Sequence, residues 1–372
     1  MTYQTNRLSQ FVWDTDNSDN FTPDSFVGKT YTDAKRAFEI DSPELLRILE
    51  FSLGGAEYED LVSFASEEYH LNSSEAKGLV DSLIEREFIL PVEHSNFDSA
   101  ANEWLDKQWR RALYFHLGTR DLDYADRSEK GNVSESKRQV LSEYDESPPA
   151  VYPSKVGATV DLPEPEALPE ESVNTVMSRR RTRRNYSGDP LSLEDISTLL
   201  YHTFNPVREV RDRVAKAAAD DPIQTRQSHH LLFEVYLAVM RCENDAVDGG
   251  LYHYSIDDHT LHTIDQAFFD DGSHADDVVS ESIVGQQFIN GAGLACYFSA
   301  CFERYQWRYR HSRAMRTMFQ EIPSHAHRMI LVATALGLGN FLTPAQKDEL
   351  IDDLFGLDGF SESIAYFVGV GK

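Results

Sequence analysis

The chain has 372 residues, enough for two domains and a buried core, and its 41% hydrophobic and 26% charged residues exclude wholesale disorder and a fibrous architecture. Sixty-two acidic against 35 basic residues leave a net charge of −27, which repels phosphate backbones and anionic lipid surfaces, so neither nucleic acid nor membrane is an expected partner. Ten lysines stand against 25 arginines, the acid-rich and lysine-poor balance that keeps proteins soluble in high salt. Cys242, Cys296 and Cys301 form no short paired spacing, no apolar run reaches the ~18 residues that span a bilayer, and the N-terminus has no signal-like segment. A reducing cytoplasm is the expected location.

Residues 38–92 read as one unit. After the extended pair Phe38 and Ile40, Ser42 and Pro43 open a helix that buries Leu45, Leu46, Ile48 and Leu49 and stops at Gly54 and Gly55. A second helix carries Tyr58, Leu61, Val62 and Ala65. A third, capped by Ser73 and Ser74, carries Ala76, Leu79, Val80, Leu83 and Ile84, and the run FILPV then reads as a strand. Three short helices and a strand describe a winged-helix-like module, a shape used for DNA and for peptides. Its third helix shows Glu75, Asp81, Glu85 and Glu87 against Lys77 and Arg86, which favours peptide. WLDKQWRRALYFHLGT predicts one further helix over 104–119 and closes a region of residues 1–120. From 121 to 172, scattered charges, Pro148, Pro149 and the run LPEPEALPEES read as a linker or a surface strap.

From Val173 to Lys372 helix and strand signals alternate. Ser192 opens a helix over SLEDISTLLYHTF with Ile196, Leu199 and Leu200 buried. LLFEVYLAVM reads as a central strand, LYHYSIDDHTLHTI as a hairpin turning at Asp257 and Asp258, and LACYFSA and IAYFVGVG as further buried strands. HRMILVATALGLG is apolar almost all round, which marks a helix inside a large core or at a subunit interface. The fold class is α+β, a mixed sheet with helices.

The segment SRRRTRRNYSGDPLS sets Arg179, Arg180, Arg181, Arg183 and Arg184 around Thr182 just before a helix. In so acidic a chain this clustering calls for a negative partner, and a phosphate met by forked guanidinium groups and a hydroxyl fits. A solvated basic patch paired with acidic neighbours is the plain structural alternative. Neither His325 and His327 nor His259 and His262 have the spacing of a metal site, so no metal is expected.

Arg180, Arg181, Thr182, Arg184 and Tyr186 occupy, in order, the pattern R-R-[ST]-x-R-x-[FY], and here the chain resembles the nitroreductase-like FMN flavoproteins. With the helix ATALGLG, the hairpin GGLYHYSIDDHTLHTI, the winged-helix-like segment and the tryptophan-containing helix, it is similar specifically to the SagB-type dehydrogenases of thiazole/oxazole-modified peptide biosynthesis. The resemblance implies a nitroreductase-like flavin domain over 173–372 behind a peptide-gripping module. It implies FMN as cofactor, met by Arg180, Arg181, Thr182, Arg184, Ser228, His229, Gly337 and Gly339. It also implies a precursor peptide as substrate, a cyclodehydratase partner, and a homodimer, for which the apolar ATALGLG helix is the expected contact. The implied activity is oxidation of azolines to azoles, a hydride passing to the flavin and a proton to a base.

The family's base is a Lys-Tyr pair, matched here by Arg304 and Tyr305 in CFERYQWRYR. Arginine cannot accept a proton, so Tyr305 is the candidate base, with Arg304 and Arg308 as the cations that stabilise its phenolate. The chain departs from the family at QSHHLLF, where Ser228, His229 and His230 replace a glycine-rich S-G-G-A-L, and at PSHAHRM, where relatives have G-H-x-x-Q-N. A flavin-dependent reductase of dehydroamino acids and a non-catalytic scaffold of the same fold are the other readings.

Overall fold

The computed structural model describes residues 1–13, 26–32, 36–40, 42–92, 99–120, 157–220 and 232–372. The chain divides into two compact units, Met1–Ala125 and Asp126–Lys372. The first contains β1 (Thr2–Thr5), β2 (Gln10–Trp13), β3 (Phe26–Thr32), β4 (Arg36–Ile40), α1 (Leu46–Ser52), β5 (Ala56–Glu57), α2 (Tyr58–Glu68), α3 (Ser73–Glu85), β6 (Ile89–Pro91), α4 (Ser99–Asp106) and α5 (Arg110–Gly118). Two antiparallel sheets, β5-β1-β6 and β2-β3-β4, accompany the helices. The three helices expected between 43 and 85 bury their apolar stripes together: Ile48, Leu61, Ala65, Ala76 and Val80 share one core with Phe88 and Ile89.

Two local expectations need correction. The cap of α3 is Asn72, not Ser73 or Ser74: its side chain accepts from the amides of Ser74 and Glu75 while Glu75 reaches back to the Asn72 amide. This reciprocal box satisfies the orphan donors better than a serine one residue further on. The single helix predicted over 104–119 is two, because Gln108 adopts φ +65° and the Trp109 amide bonds back to the Trp104 carbonyl, which ends α4 in a left-handed turn.

The second unit runs β7 (Thr159–Asp161), α6 (Val173–Arg179), α7 (Leu193–Asp220), β8 (Val235–Val239), β9 (Leu251–Ser255), β10 (Thr260–Asp265), α8 (Gly272–Ser282), β11 (Leu294–Cys301), α9 (Phe302–Arg308), α10 (Ala314–Ala335), β12 (Gly339–Thr343), α11 (Asp348–Phe355) and β13 (Glu362–Gly371). Its sheet has the order β12-β13-β11-β8-β9-β10-β7. Every strand pairing in it is antiparallel, and the one parallel bridge among the described residues, Leu191 with Cys242, lies outside the named strands. The expected mixed sheet is thus antiparallel, though the class remains α+β.

Both faces of this sheet are covered. Along β8, Val235, Leu237 and Val239 join a core with residues of α7 and α10, while Tyr236 and Ala238 join a second core with α8 and α11. Burial on both faces is why the strands read as unbroken apolar runs instead of alternating ones. The same packing buries Ala333, Thr334 and Leu338 and sets Leu336 against the core, so the apolar ATALGLG stretch expected at a dimer contact packs inside one subunit. α7 continues past the expected end at Phe204, with Pro206 inside it. The segment expected as linker over 121–172 includes β7, which pairs with β10, and Val160, Leu162 and Leu168 pack on the core; residues 121–156 lie outside the described residues.

Gly157 seats this strap against β10. Its φ is +94°, and a Cβ there would lie 1.9 Å from the Thr263 carbonyl oxygen, beside the bond from the Thr263 amide to the Ala158 carbonyl. Gly157→Ala is expected to lower the stability of this unit by about 1–3 kcal/mol and to open the segment over 157–172 to limited proteolysis while circular dichroism stays unchanged. A variant as protease-resistant as wild type would show that β7 is not held by this contact.

Candidate functional site

The arginine segment between α6 and α7 has no regular secondary structure but is pinned by its backbone: the Arg183 amide donates to the Asn340 carbonyl and the Ser187 amide to the Lys372 carbonyl, both at 2.9 Å. Tyr186 is its anchor. Its ring lies so close to β12 and β13 that a Cβ on Gly371 would come within 2.8 Å of it and one on Gly339 within 3.3 Å. Gly339 therefore seats the motif. Gly337 has φ +79° and ends α10. Sequence reasoning grouped these glycines with the arginines for a cofactor, and the structure gives them local roles of their own, close packing at Gly339 and a left-handed turn at Gly337.

The arginine side chains divide. Arg179 is engaged, donating to Glu171 and to the Thr334 carbonyl, each at 2.7 Å. Arg181 donates to the carbonyls of Ser178 and Arg180. Arg184 stacks over the Phe288 ring at 5.0 Å. Among the described residues no carboxylate pairs with Arg180, Arg181, Arg183 or Arg184, although the chain has 27 more acidic than basic groups. With Thr182 exposed between them, they form an anion-accepting surface at the C-terminal end of α10. These residues fit a phosphate monoester. Lys372 turns its ammonium to Glu243 and Asp195, at 3.4 and 3.8 Å.

Tyr305 and Arg304 lie elsewhere. Tyr305, on α9, is buried and lines a cavity of about 860 Å³ between α9 and the first turns of α10, with Phe302, Trp307, Tyr309, Met315 and Met318. Ala314 lines this cavity and Thr334 meets Arg179, so the two features sit at opposite ends of α10, roughly 30 Å apart at 1.5 Å per residue. One protomer does not bring the arginine motif and Tyr305 together. Ser228, His229 and His230 lie outside the described residues. His325 stacks on Phe233, His259 bonds Ser197 and Tyr254, and no cluster of metal-ligating side chains occurs among the described residues.

Arg304 is held from behind the cavity. Its Nη1 donates to Glu234 Oε1 at 2.6 Å, and Glu234, on the edge of β8, also meets Arg211 of α7 at 3.4 Å and His253 of β9 at 3.2 Å. All three ionic groups are nearly or fully buried. Burial disfavours the Glu234 charge, yet Arg211, His253 and Arg304 together hold its carboxyl well below the usual carboxylate range. Glu362, by contrast, is pushed up by burial despite hydrogen bonds from Ser299 and Tyr236. Sequence reasoning missed Glu234 and Arg211, since one lay in an apolar run and the other in a helix of alternating charge.

A carboxyl depressed on folding stabilises the protein above the unfolded carboxylate pKa and loses that contribution as pH falls. Glu234→Gln removes the buried carboxylate that Arg304 and Arg211 share, leaving Arg211 with Asp257 at 3.7 Å, and a loss of about 3–5 kcal/mol is expected at neutral pH. The gap in melting temperature between wild type and variant should narrow below about pH 4. A gap independent of pH would remove the ionic account.

Residues 177–372 match the nitroreductase family. The chain is 24% identical over 322 residues to the trifolitoxin operon protein TfxC of Rhizobium leguminosarum bv. trifolii, covering 84% of this chain and 87% of that one. It is 26% identical over 200 residues to MJ1384, a nitroreductase-type protein of Methanocaldococcus jannaschii, covering 54% and 91%. The structure of the Escherichia coli microcin synthetase McbBCD complex superposes with a TM-score of 0.40 at 17% identity, over 72% of this chain and 93% of that one. No helix among the described residues is long and apolar enough to cross a membrane. With its matched region spanning just over half of its length, from α6 through the last strand, the chain belongs to the nitroreductase family.

Proposed function

We propose that the chain is an FMN-dependent oxidoreductase that matures a ribosomal peptide, oxidising azoline rings to azoles. The observation that carries the cofactor is the anion-accepting surface of Arg180, Thr182, Arg183 and Arg184, seated by Tyr186 on Gly339 in a nitroreductase-family chain. The peptide reading draws on the resemblance to TfxC, which runs over 84% of the chain. Bound FMN supplies a two-electron acceptor for the hydride that leaves the ring as its new double bond forms, with dioxygen as terminal oxidant. Arg180, Arg184 and Thr182 hold the phosphate, Tyr305 takes the ring proton, and Arg304 is a positioning residue that ties α9 to Glu234.

A homodimer completes the site, because the length of α10 separates the arginine surface from Tyr305 within one protomer. Val173 and Met177, exposed on α6 beside the arginines, supply apolar contact area. A second reading, reduction of a dehydroamino acid in a modified peptide, draws on Arg304 standing where relatives have lysine. Mass analysis of the product separates it from azoline oxidation, since the two change the peptide mass in opposite directions.

The purified protein is expected to carry noncovalent FMN and to scatter light as twice the 42.3 kDa chain. Arg180→Ala with Arg184→Ala should weaken FMN binding roughly a hundredfold without unfolding the protein, and full flavin retention by that variant would overturn the phosphate assignment.

Tyr305→Phe removes one hydroxyl. Turnover of an azoline peptide should fall about a hundredfold with FMN content unchanged, whereas wild-type turnover would move the proton acceptor elsewhere.

A further inference from the structure

Oxidation of an azoline releases a proton as well as a hydride, and that proton has to travel from the floor of the cavity to water. Tyr305 is 2% exposed, and burial disfavours a phenolate. Arg304, the neighbouring cation, does not offset this, because its guanidinium is bound to Glu234 at 2.6 Å and is not among the groups that line the cavity. Tyr305 is therefore a phenol, and a phenol takes a proton only while giving up its own. Its proton needs a receiver in the same cavity.

Four other side chains with acid–base chemistry line that cavity: Glu303, Tyr309, Arg310 and His311. Arginine holds its proton at any physiological pH, and a carboxylate is a weaker acceptor than an imidazole. His311 is left, and the tyrosine rings lead to it. The ring centroids of Tyr305 and Tyr309 are 4.9 Å apart, and those of Tyr309 and His311 5.9 Å. Exposure rises along the same row, from buried Tyr305 through half-buried Tyr309 to exposed His311. The backbone fixes the order: the Tyr309 amide bonds the Tyr305 carbonyl at 2.8 Å, which sets the two tyrosines one turn apart. The His311 carbonyl accepts the Ala314 amide at the start of α10, so the turn is held while the imidazole stays in water.

We propose that Tyr305, Tyr309 and His311 form the proton exit of the oxidation, with His311 as the acceptor that hands the proton to water; this rests on the azoline-oxidation reading above. As the C–H bond at the ring carbon next to nitrogen breaks, its electron pair becomes part of the new double bond while a hydride leaves the adjacent carbon for FMN. The proton moves to the Tyr305 oxygen, the Tyr305 proton to the Tyr309 oxygen, and the Tyr309 proton to the imidazole, each through one hydrogen bond or one bridging water. Both phenols end as they began. The imidazolium then releases its proton to solvent, a task to which histidine is suited. The row takes up no volume of its own and leaves the cavity free for the azoline and the flavin of the proposed dimer.

The test follows the proton alone. An acetylated Gly-thiazoline-Gly amide is held in deuterium oxide with the full chain, its FMN reduced under nitrogen so that no hydride can be accepted, and deuterium entering the ring is read by mass spectrometry. Exchange counts only protons that have reached water, so it reads the exit and not the hydride step. Wild type is expected to exchange well above the buffer rate, and His311→Ala and Tyr309→Phe should each slow it about a hundredfold with FMN content kept. Imidazole added to the buffer should restore most of the rate to His311→Ala, a rescue that a merely structural role would not show. His311→Ala exchanging at the wild-type rate, while wild type oxidises the same peptide under air, overturns the exit and leaves the reaction standing. A loss that imidazole does not restore overturns it too. Exchange and rescue without oxidation under air keep the proton path and sink the oxidation alone, whereas a wild type that neither exchanges nor oxidises overturns both.

Discussion

Glu234 is a carboxylate in a place that carboxylates avoid. Moving such a group out of water costs several kcal/mol unless opposite charges meet it with good geometry, and removing one partner then exposes the whole cost. Arg211 comes to it from the long helix α7, Arg304 from the short helix α9, and His253 from the neighbouring strand. Arg211 also reaches Asp257 in the β9–β10 turn at 3.7 Å. Three elements of different chain position are thus fixed against one side chain, and the β9–β10 turn is tied to it through Arg211. An apolar contact resists a change in volume, but this contact also resists rotation, because Arg304 Nη1 and Arg211 Nη2 must each keep a hydrogen bond to Glu234 Oε1.

Around that hub the sheet is apolar on both faces, with α7 and α10 on one side and α8 and α11 on the other. Apolar side chains pack against helices on both faces. Chemistry is left to the ends of α10: the arginine surface where the helix stops at Gly337, and the cavity where it starts at Ala314. The division follows from the three-layer packing, which would bury any functional side chain placed on the middle of a strand.

Much of this was legible in the sequence. The apolar runs of β8, β11 and β13 announce strands, and the spacing of Arg180, Arg181, Thr182, Arg184 and Tyr186 announces the motif, because a pattern of residue types survives without its three-dimensional partners. The misses share a cause. Asn72 outcompetes the serines after it only once Glu75 closes the box, and Gln108 breaks a good helical pattern by a backbone angle that glutamine rarely takes. Arg211 reads as one charge among several in VREVRDRV, and only the arrival of Glu234 and Asp257 accounts for its full burial. The separation of Tyr305 from the arginines is a length of helix, which no motif records. Ser228 and His229 lie outside the described residues and add nothing either way.

The arginine segment is held by its amides and by one tyrosine ring, with Arg179 on the Thr334 carbonyl and Arg184 over the Phe288 ring beside them, while Thr182 and Arg183 are exposed. Address and chemistry are therefore separate. The Arg183 and Ser187 amides would keep their carbonyl partners whatever side chains stood between them. The guanidinium set can be rewritten, one position at a time, towards a different anion or a weaker grip without repacking the fold. A scaffold built this way can drift between cofactor preferences, or lose its cofactor and persist as a binding protein, through substitutions that each leave a well-folded intermediate.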